Sequence, residues 1–398
     1  MMFRAALITL LGAGAAAAVL LLLDLLRIPW NAWTLGTGLA VVAVIAWRWS
    51  GGLKAAGVGG LKPAATLINC LTAILVLAHA IAGMRPGLWD WTDWLITRRD
   101  YFFIWGYKAR LFFVEHGIPW SFLRTLPNDF SHPDYPVLVP LLFDVPAVLT
   151  SSFDPRLFAW IDAALGGALL VVAYRCLRDE LTPTESALGT LALSGSALLP
   201  WFGFADGPLV AFAASAALLI RRALRGHTVS LGVAVALLSL AAMTKNEGIA
   251  FFVAVCVAAP NLIRKLWPAA AVIGGWLVAR ASMHLPTDVF VGPLLPRIAH
   301  NVAMFPSAFA NVPVYQPIVW IAALVAIALA PAANLRRERF LLTVVAIQLC
   351  FYLGAYAMTP YDVRGHVNGS WERISSHVTM LIAFAGLTSI RESLRSRE

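Results

Sequence analysis

Between Arg99 and Leu142 the chain concentrates acids, bases and aromatic rings: RDYFFIWGYKARLFFVEHGIPWSFLRTLPNDFSHPDYPVLVPLL. Asp100, Trp105 and Lys108 open the stretch. If this piece is helical, Asp100 and Lys108 stand at i and i+8, roughly on one face, and both point into one cleft. The carboxylate could take a proton from an acceptor hydroxyl, and the ammonium could neutralise a phosphate. The same spacing also suits an interfacial helix with an aromatic belt and a salt bridge. Further on, two prolines bracket an acid and an aromatic in His132-Pro133-Asp134-Tyr135-Pro136, which makes a rigid turn. It offers a fixed acid or, with only two ligands, a weak His/Asp metal pair; a purely structural turn is the alternative.

Three later stretches carry chemistry close to apolar runs. Asp206 sits in GFADGP, either as a second acid or as a turn former beside Gly207-Pro208. Lys245 and Glu247 fill the short turn TKNEG, where charges next to hydrocarbon are functional or paired. They do not face each other on a helix, so each is expected to find its partner elsewhere. TPYDVRGHVNGSWERISSHV then gathers Asp362, Arg364, His366, Glu372 and Arg373 in an expected loop at 359–375. Arg373, placed at the entrance of the last span, could clamp a phosphate through its planar fork.

Elements that position these residues are written in the composition. Of 398 residues, 60% are hydrophobic and 13% charged, with mean hydropathy +0.76. A soluble domain carries about 25% charged residues, so lipid must solvate much of this chain. An all-α, polytopic transmembrane bundle forming one domain, 1–398, is therefore expected. Apolar windows fall near 5–26, 33–48, 65–84, 155–176, 184–200, 207–222, 229–244, 249–263, 267–283, 316–333, 339–358 and 376–391, about twelve spans. The first resembles a signal peptide, but without a small-residue cleavage site it reads as a retained span. Cys70, Cys176, Cys256 and Cys350 all lie in apolar runs without metal-like spacing.

The net charge of +9 does not indicate nucleic acid, because the cations cluster in short turns between spans. With the N-terminus inside, the inner turns hold Arg48, Lys54 and Lys62; Arg175 and Arg178; Arg221, Arg222 and Arg225; Arg264 and Lys265; Arg336, Arg337 and Arg339; and the tail arginines. All are basic, as the positive-inside rule requires. This orientation needs 137–150 to re-enter rather than cross, which its short length, Pro140, Pro146 and Asp144 favour. The loop 85–154, with short juxtamembrane helices, and all the motifs above then face outwards.

At these residues the chain resembles the polytopic GT-C glycosyltransferases, in the bacterial branch similar to protein mannosyltransferases and lipid A aminoarabinose transferases. That branch resembles D-x-W-x-x-W-x-x-K-A, matched by Asp100, Trp105, Lys108 and Ala109, with Phe102 in place of one tryptophan. An H-P-[DE]-Y-P turn (His132 to Pro136), G-x-x-D (Gly203, Asp206), T-K-x-E-G (Thr244, Lys245, Glu247, Gly248) and T-P-x-D…H…S-x-x-R (Thr359, Pro360, Asp362, His366, Ser370, Arg373) follow in order. The resemblance implies transfer of a sugar from a polyprenyl-phosphate donor to a glycan, lipid or protein acceptor, outside a bacterial inner membrane. It implies Asp100 as base and Asp206 as second catalytic acid. Lys108, Lys245 and Arg373 are the candidates for the donor phosphate, and Trp105, His132, Asp134, Tyr135, Glu247 and His366 for substrate positioning. Residues 1–64 look like an added two-span hairpin. No resident cofactor is implied with certainty, and a divalent ion is left open. A lipid or solute transporter, and an oligosaccharide polymerase or ligase using pyrophosphate-linked donors, are the competing readings; the first would show paired repeats, the second more arginines in 284–315.

Overall fold

The computed structural model describes residues 2–49, 100–228, 230–287 and 293–395, and within them the protein is helical throughout, with no strand. The expected span 65–84, Cys70, Lys54, Lys62 and the first part of the outer loop lie outside these residues. In chain order the helices are α1 (Met2–Leu25), α2 (Ala32–Trp49), α3 (Gly106–Glu115), α4 (Trp120–Arg124), α5 (Leu138–Thr150), α6 (Arg156–Leu177), α7 (Pro183–Ala197) and α8 (Asp206–Leu224). They continue as α9 (Leu231–Thr244), α10 (Asn246–Ala258), α11 (Trp267–Ser282), α12 (Leu294–Phe309), α13 (Pro317–Ala328), α14 (Ala332–Met358) and α15 (Val363–Arg395).

Among the described residues, four helices are long and apolar enough to cross a membrane: α1, α6, α8 and the Asn334–Met358 part of α14. Several other expected spans are shorter; α9, α10 and α13 have 12 to 14 residues. At 1.5 Å per residue these reach only about 20 Å, against about 30 Å of hydrocarbon.

The centre of the bundle is α8, buried on every side from Pro208 to Arg222. Its alanines (Ala211, Ala213, Ala214, Ala216, Ala217) present little bulk, so α6, α9 and α15 approach it closely. A helix apolar all round has to be surrounded in this way. The N-terminal hairpin is no loose addition: α1 packs on α5 and α6, and only α2 is peripheral. Asp24, in the last turn of α1, accepts hydrogen bonds from Ile118 N (2.7 Å) and Trp120 Nε1 (3.0 Å), fastening the outer loop to the bundle.

The apolar segment 137–150 forms α5, which packs on α1 and α3. Phe143 stacks on Phe158 (4.2 Å between ring centres), which also meets Tyr101, and Phe153 lies 5.9 Å from Phe113.

The C-terminal stretch differs from expectation. The polar segment 359–375 is not a loop before a span. From Val363 it is already helical, continuous with the apolar part, and α15 runs for 33 residues. The basic stretch at 335–339 is likewise the start of α14 rather than a turn. Hydropathy windows register only apolar runs and miss a helix whose first half is polar because it lines a polar site.

Candidate active site

Asp206 begins α8, just after the sharp turn at Gly203 (φ 80°). Asp162 from α6 shapes that turn by accepting a hydrogen bond from Gly203 N at 2.8 Å. The first position of a helix favours a carboxylate, because unpaired backbone N–H groups gather there. The Asp206 carboxylate is fully buried and ringed by donors. Arg373 Nη1 lies 2.8 Å from Oδ2, His377 Nε2 2.6 Å from Oδ1 and Lys245 Nζ 3.6 Å from Oδ1.

Arg373 is the hub. One arm of its fork holds Asp206, and the other, Nη2, holds Asp100 Oδ2 at 2.8 Å. Two acids 106 positions apart in sequence thus share one guanidinium, which rests over the Phe204 ring. Arg373 stands well inside α15, not at its entrance, so His377, one turn later, faces the same carboxylate. The Asp100 side chain keeps 32% of its surface exposed, against none for Asp206.

At the α9–α10 junction Lys245 takes an extended conformation (φ −163°, ψ 158°). This break lets Lys245 and Glu247 pair with each other at 2.7 Å, which the helical spacing did not suggest, while Lys245 also has the distant partner expected of it in Asp206. Gly248 permits the tight junction, since a Cβ there would meet the Ala241 carbonyl oxygen at 1.8 Å. Asn246 reaches outward instead, donating to Asp134 Oδ2 at 3.1 Å, and Arg280 from the end of α11 stands 3.6 Å from the same oxygen. The 132–136 turn is thereby docked on the junction.

Asp100 and Lys108 do not point into one cleft. A π-helical turn, Tyr101–Trp105, intervenes and alters the registry that an α-helix would have kept. Lys108 is buried beneath the turn, donating to the His132 carbonyl oxygen at 3.0 Å, with the Trp105 ring 5.1 Å away. Burial pushes its ammonium down to about 7, against the pull of Asp134. Trp105, Tyr135 and His132 form one stack, with ring centres 5.5 and 4.9 Å apart. They brace the turn. His132 and Asp134 stand 4.0 Å apart, and the described residues contain no group of three side chains suited to a metal ion. His366 hydrogen-bonds Thr359 Oγ1 at 2.8 Å and packs on the Tyr356 and Tyr361 rings.

Compared with known proteins, the chain matches no family model, no curated protein and no solved structure.

A cavity of about 720 Å³ lies between α1, α5, α9 and α11. Leu11, Gly14, Leu21, Val235 and Leu240 are among its apolar lining. Val137 and Met243, next in sequence to the 132–136 turn and to Thr244–Lys245, also line it, as do Lys265 and Pro268.

Residues the sequence reading passed over complete the site. His377 and Asp162 bear on Asp206 and its turn; Gln348 and Tyr352 back His377; Asp24 and Arg280 hold the loop. The spacing Arg373-x-x-x-His377 held the clue to His377, provided α15 is read as helical from its polar half.

Proposed function

We propose that the chain is a membrane glycosyltransferase of the inner membrane, transferring a sugar from a polyprenyl-phosphate donor to an acceptor in one inverting displacement. The observation that carries this reading is Arg373 forked across Asp100 and Asp206, with Lys245 at the same carboxylate. Two acids and two cations converge there from four distant stretches of sequence. The apolar cavity lined in part by Val137 and Met243 adds a place for a lipid tail.

The roles divide by burial. Asp206, enclosed and held by three donors, has no free edge for a substrate proton and serves to fix Arg373 and Lys245. Asp100 is the base. The donor phosphate takes its place on Arg373 Nη2, and Asp100 then accepts the hydroxyl proton of the acceptor. That oxygen bonds to the anomeric carbon while the bond from carbon to phosphate oxygen breaks. The departing lipid phosphate gains negative charge, which Arg373 and Lys245 offset. Lys108, covered by the turn, supports the architecture rather than the phosphate.

Purified protein given labelled polyprenyl-phosphate sugars is expected to release free lipid phosphate, and Asp100→Asn to lose this release. Release at the wild-type rate from the variant sinks the assignment. The second reading, a lipid carrier, is favoured by Lys265, a cation in the lining of the otherwise apolar cavity. It would move labelled lipid across a vesicle membrane without cleaving it.

A further inference from the structure

Behind Asp206 runs a chain of hydrogen bonds whose direction is set at its far end. Gln348 Nε2 donates to the Glu247 carbonyl oxygen and to Tyr352 Oη, both at 3.0 Å. A carbonyl can only accept, so the Gln348 amide has one orientation, and both its hydrogens are engaged. Tyr352 oxygen therefore receives a hydrogen from Gln348 and sends its own to His377 Nδ1, 2.8 Å away. A nitrogen that accepts carries no proton. The imidazole proton then sits on Nε2, facing Asp206 Oδ1. With a proton on Nδ1 as well, Tyr352 oxygen would face two donors, and its own hydrogen would be stranded in a fully buried place.

We propose that His377 is a positioning residue of this site, locked by Tyr352 and Gln348 as the neutral imidazole with its proton on Nε2, so that it donates to Asp206 without adding a charge. The consequence for turnover rests on the transferase reading; the locked tautomer does not. The charged and titratable groups around His377 are Asp206 from α8, Lys245 and Glu247 from the α9–α10 junction, Tyr352 from α14, and Arg373 on its own helix. Lys245 and Arg373 already stand beside the carboxylates of Asp206, Glu247 and Asp100. A third cation at His377 would compete for Asp206 and loosen its hold on Arg373. Loosening Arg373 misplaces the group that Asp100 and the donor phosphate exchange.

The test is nitrogen NMR of the whole protein labelled with 15N-histidine, with His377→Gln identifying the His377 signals by difference. His377 is expected as the neutral Nε2–H tautomer from about pH 5.5 to 8, where a free imidazole would titrate. Tyr352→Phe frees Nδ1, and imidazolium should then appear within that range. An imidazolium in the wild type at pH 7, or an unchanged titration in Tyr352→Phe, overturns the proposal. In the lipid-phosphate assay, His377→Gln keeps an N–H donor for Asp206 and should remain within about tenfold of wild type, whereas His377→Leu should lose roughly 10² or more in turnover. Equal losses in both variants also overturn it. A wild type that releases no lipid phosphate refutes the transferase reading alone, and the NMR result still decides on His377.

Discussion

Helix α8 ends in a buried ion network at both extremities, and the two differ in what they leave open. At the end away from the site, Arg221 is held by Glu338 (Nε to Oε2, 2.8 Å) and Glu180 (2.8 Å), while Arg222 pairs with Asp179. Arg225 reaches both Glu180 and Glu338, and Thr388 donates to Glu338 at 2.6 Å. The cavity beside this cluster is about 10 Å³, roughly one water. Carboxylates and guanidinium groups answer one another there, and no space remains for a ligand. At the Asp206 end, Asp100 is a third exposed on the shared arginine, Glu247 Oε2 has no hydrogen-bond partner among the described residues, and a large apolar cavity opens alongside. Similar residues thus make a closed tie between helices at one end and an incompletely paired, partly open cluster at the other.

The sharpest way to break the comparison is to remove the central carboxylate from each end. Taking one partner from a buried ion pair costs about 3 to 5 kcal/mol, because the remaining charge stays buried. Glu338→Ala and Asp206→Ala should both lower stability by about that amount in denaturant titrations in detergent. Only Asp206→Ala should also abolish turnover in the protein that still folds. Equal turnover in the folded fractions of the two variants would erase the distinction.

Asp100→Asn separates chemistry from support. Asp100 is partly exposed and has one strong partner, so its loss should leave the melting temperature within a few degrees of wild type. Turnover should fall by about 10² to 10⁴, the usual worth of a general base. A variant that melts much earlier yet retains turnover would make Asp100 a tie of the Glu338 kind.

How much of this was legible follows the same division. The expected windows 155–176, 229–244 and 267–283 agree closely with α6, α9 and α11, because apolar runs between charged turns record helices well. Residue type and proximity to hydrocarbon flagged Asp206, Lys245 and Arg373. Their pairing was not legible, since the partners of Asp206 lie up to 171 positions away and local spacing carries no such information. The same holds at the opposite end. Arg221 and Arg222 read as a basic inner turn, whereas they are buried in the last turn of α8 against acids from α6's C-terminal turn and α14. A π-helical turn cannot be read from periodicity, which is why Asp100 and Lys108 were placed on one face. The expected boundary between a loop at 359–375 and a span at 376–391 cut α15 between Arg373 and His377, and so hid that they lie one turn apart.

A smaller effect tests the fastening of the outer loop. Asp24 accepts from Ile118 N and Trp120 Nε1, and hydrogen bonds to a charged acceptor are worth about 1.5 to 3 kcal/mol. Asp24→Ala should cost about that in stability, while Asp24→Asn, which keeps an acceptor oxygen, should cost less. Hydrogen exchange at residues 117–131 should quicken in the alanine variant. An unchanged exchange rate would mean that the contacts of the 132–136 turn with Asn246, Arg280, Lys108 and the aromatic stack hold the loop without Asp24.

Lys108 offers the finest comparison, because it is a buried cation without a close carboxylate partner among the described residues, unlike Arg221. Its ammonium is pushed down to about 7 by burial, from 10.5 in the unfolded chain. Between these values the folded protein carries Lys108 neutral while the unfolded chain keeps it protonated. The unfolded state then binds more protons, so stability rises with pH across this window. One group contributes at most about 1.4 kcal/mol per pH unit. Below about pH 7 both states are protonated and the slope vanishes. Lys108→Met, similar in volume and apolar, should remove this contribution while leaving that of every other group in place. Stability measured from pH 7 to 9 should therefore climb less steeply in the variant than in wild type, by up to that amount. Parallel curves would show that Lys108 remains an ammonium beneath the turn, held there by Asp134 as Arg221 is held by Glu338.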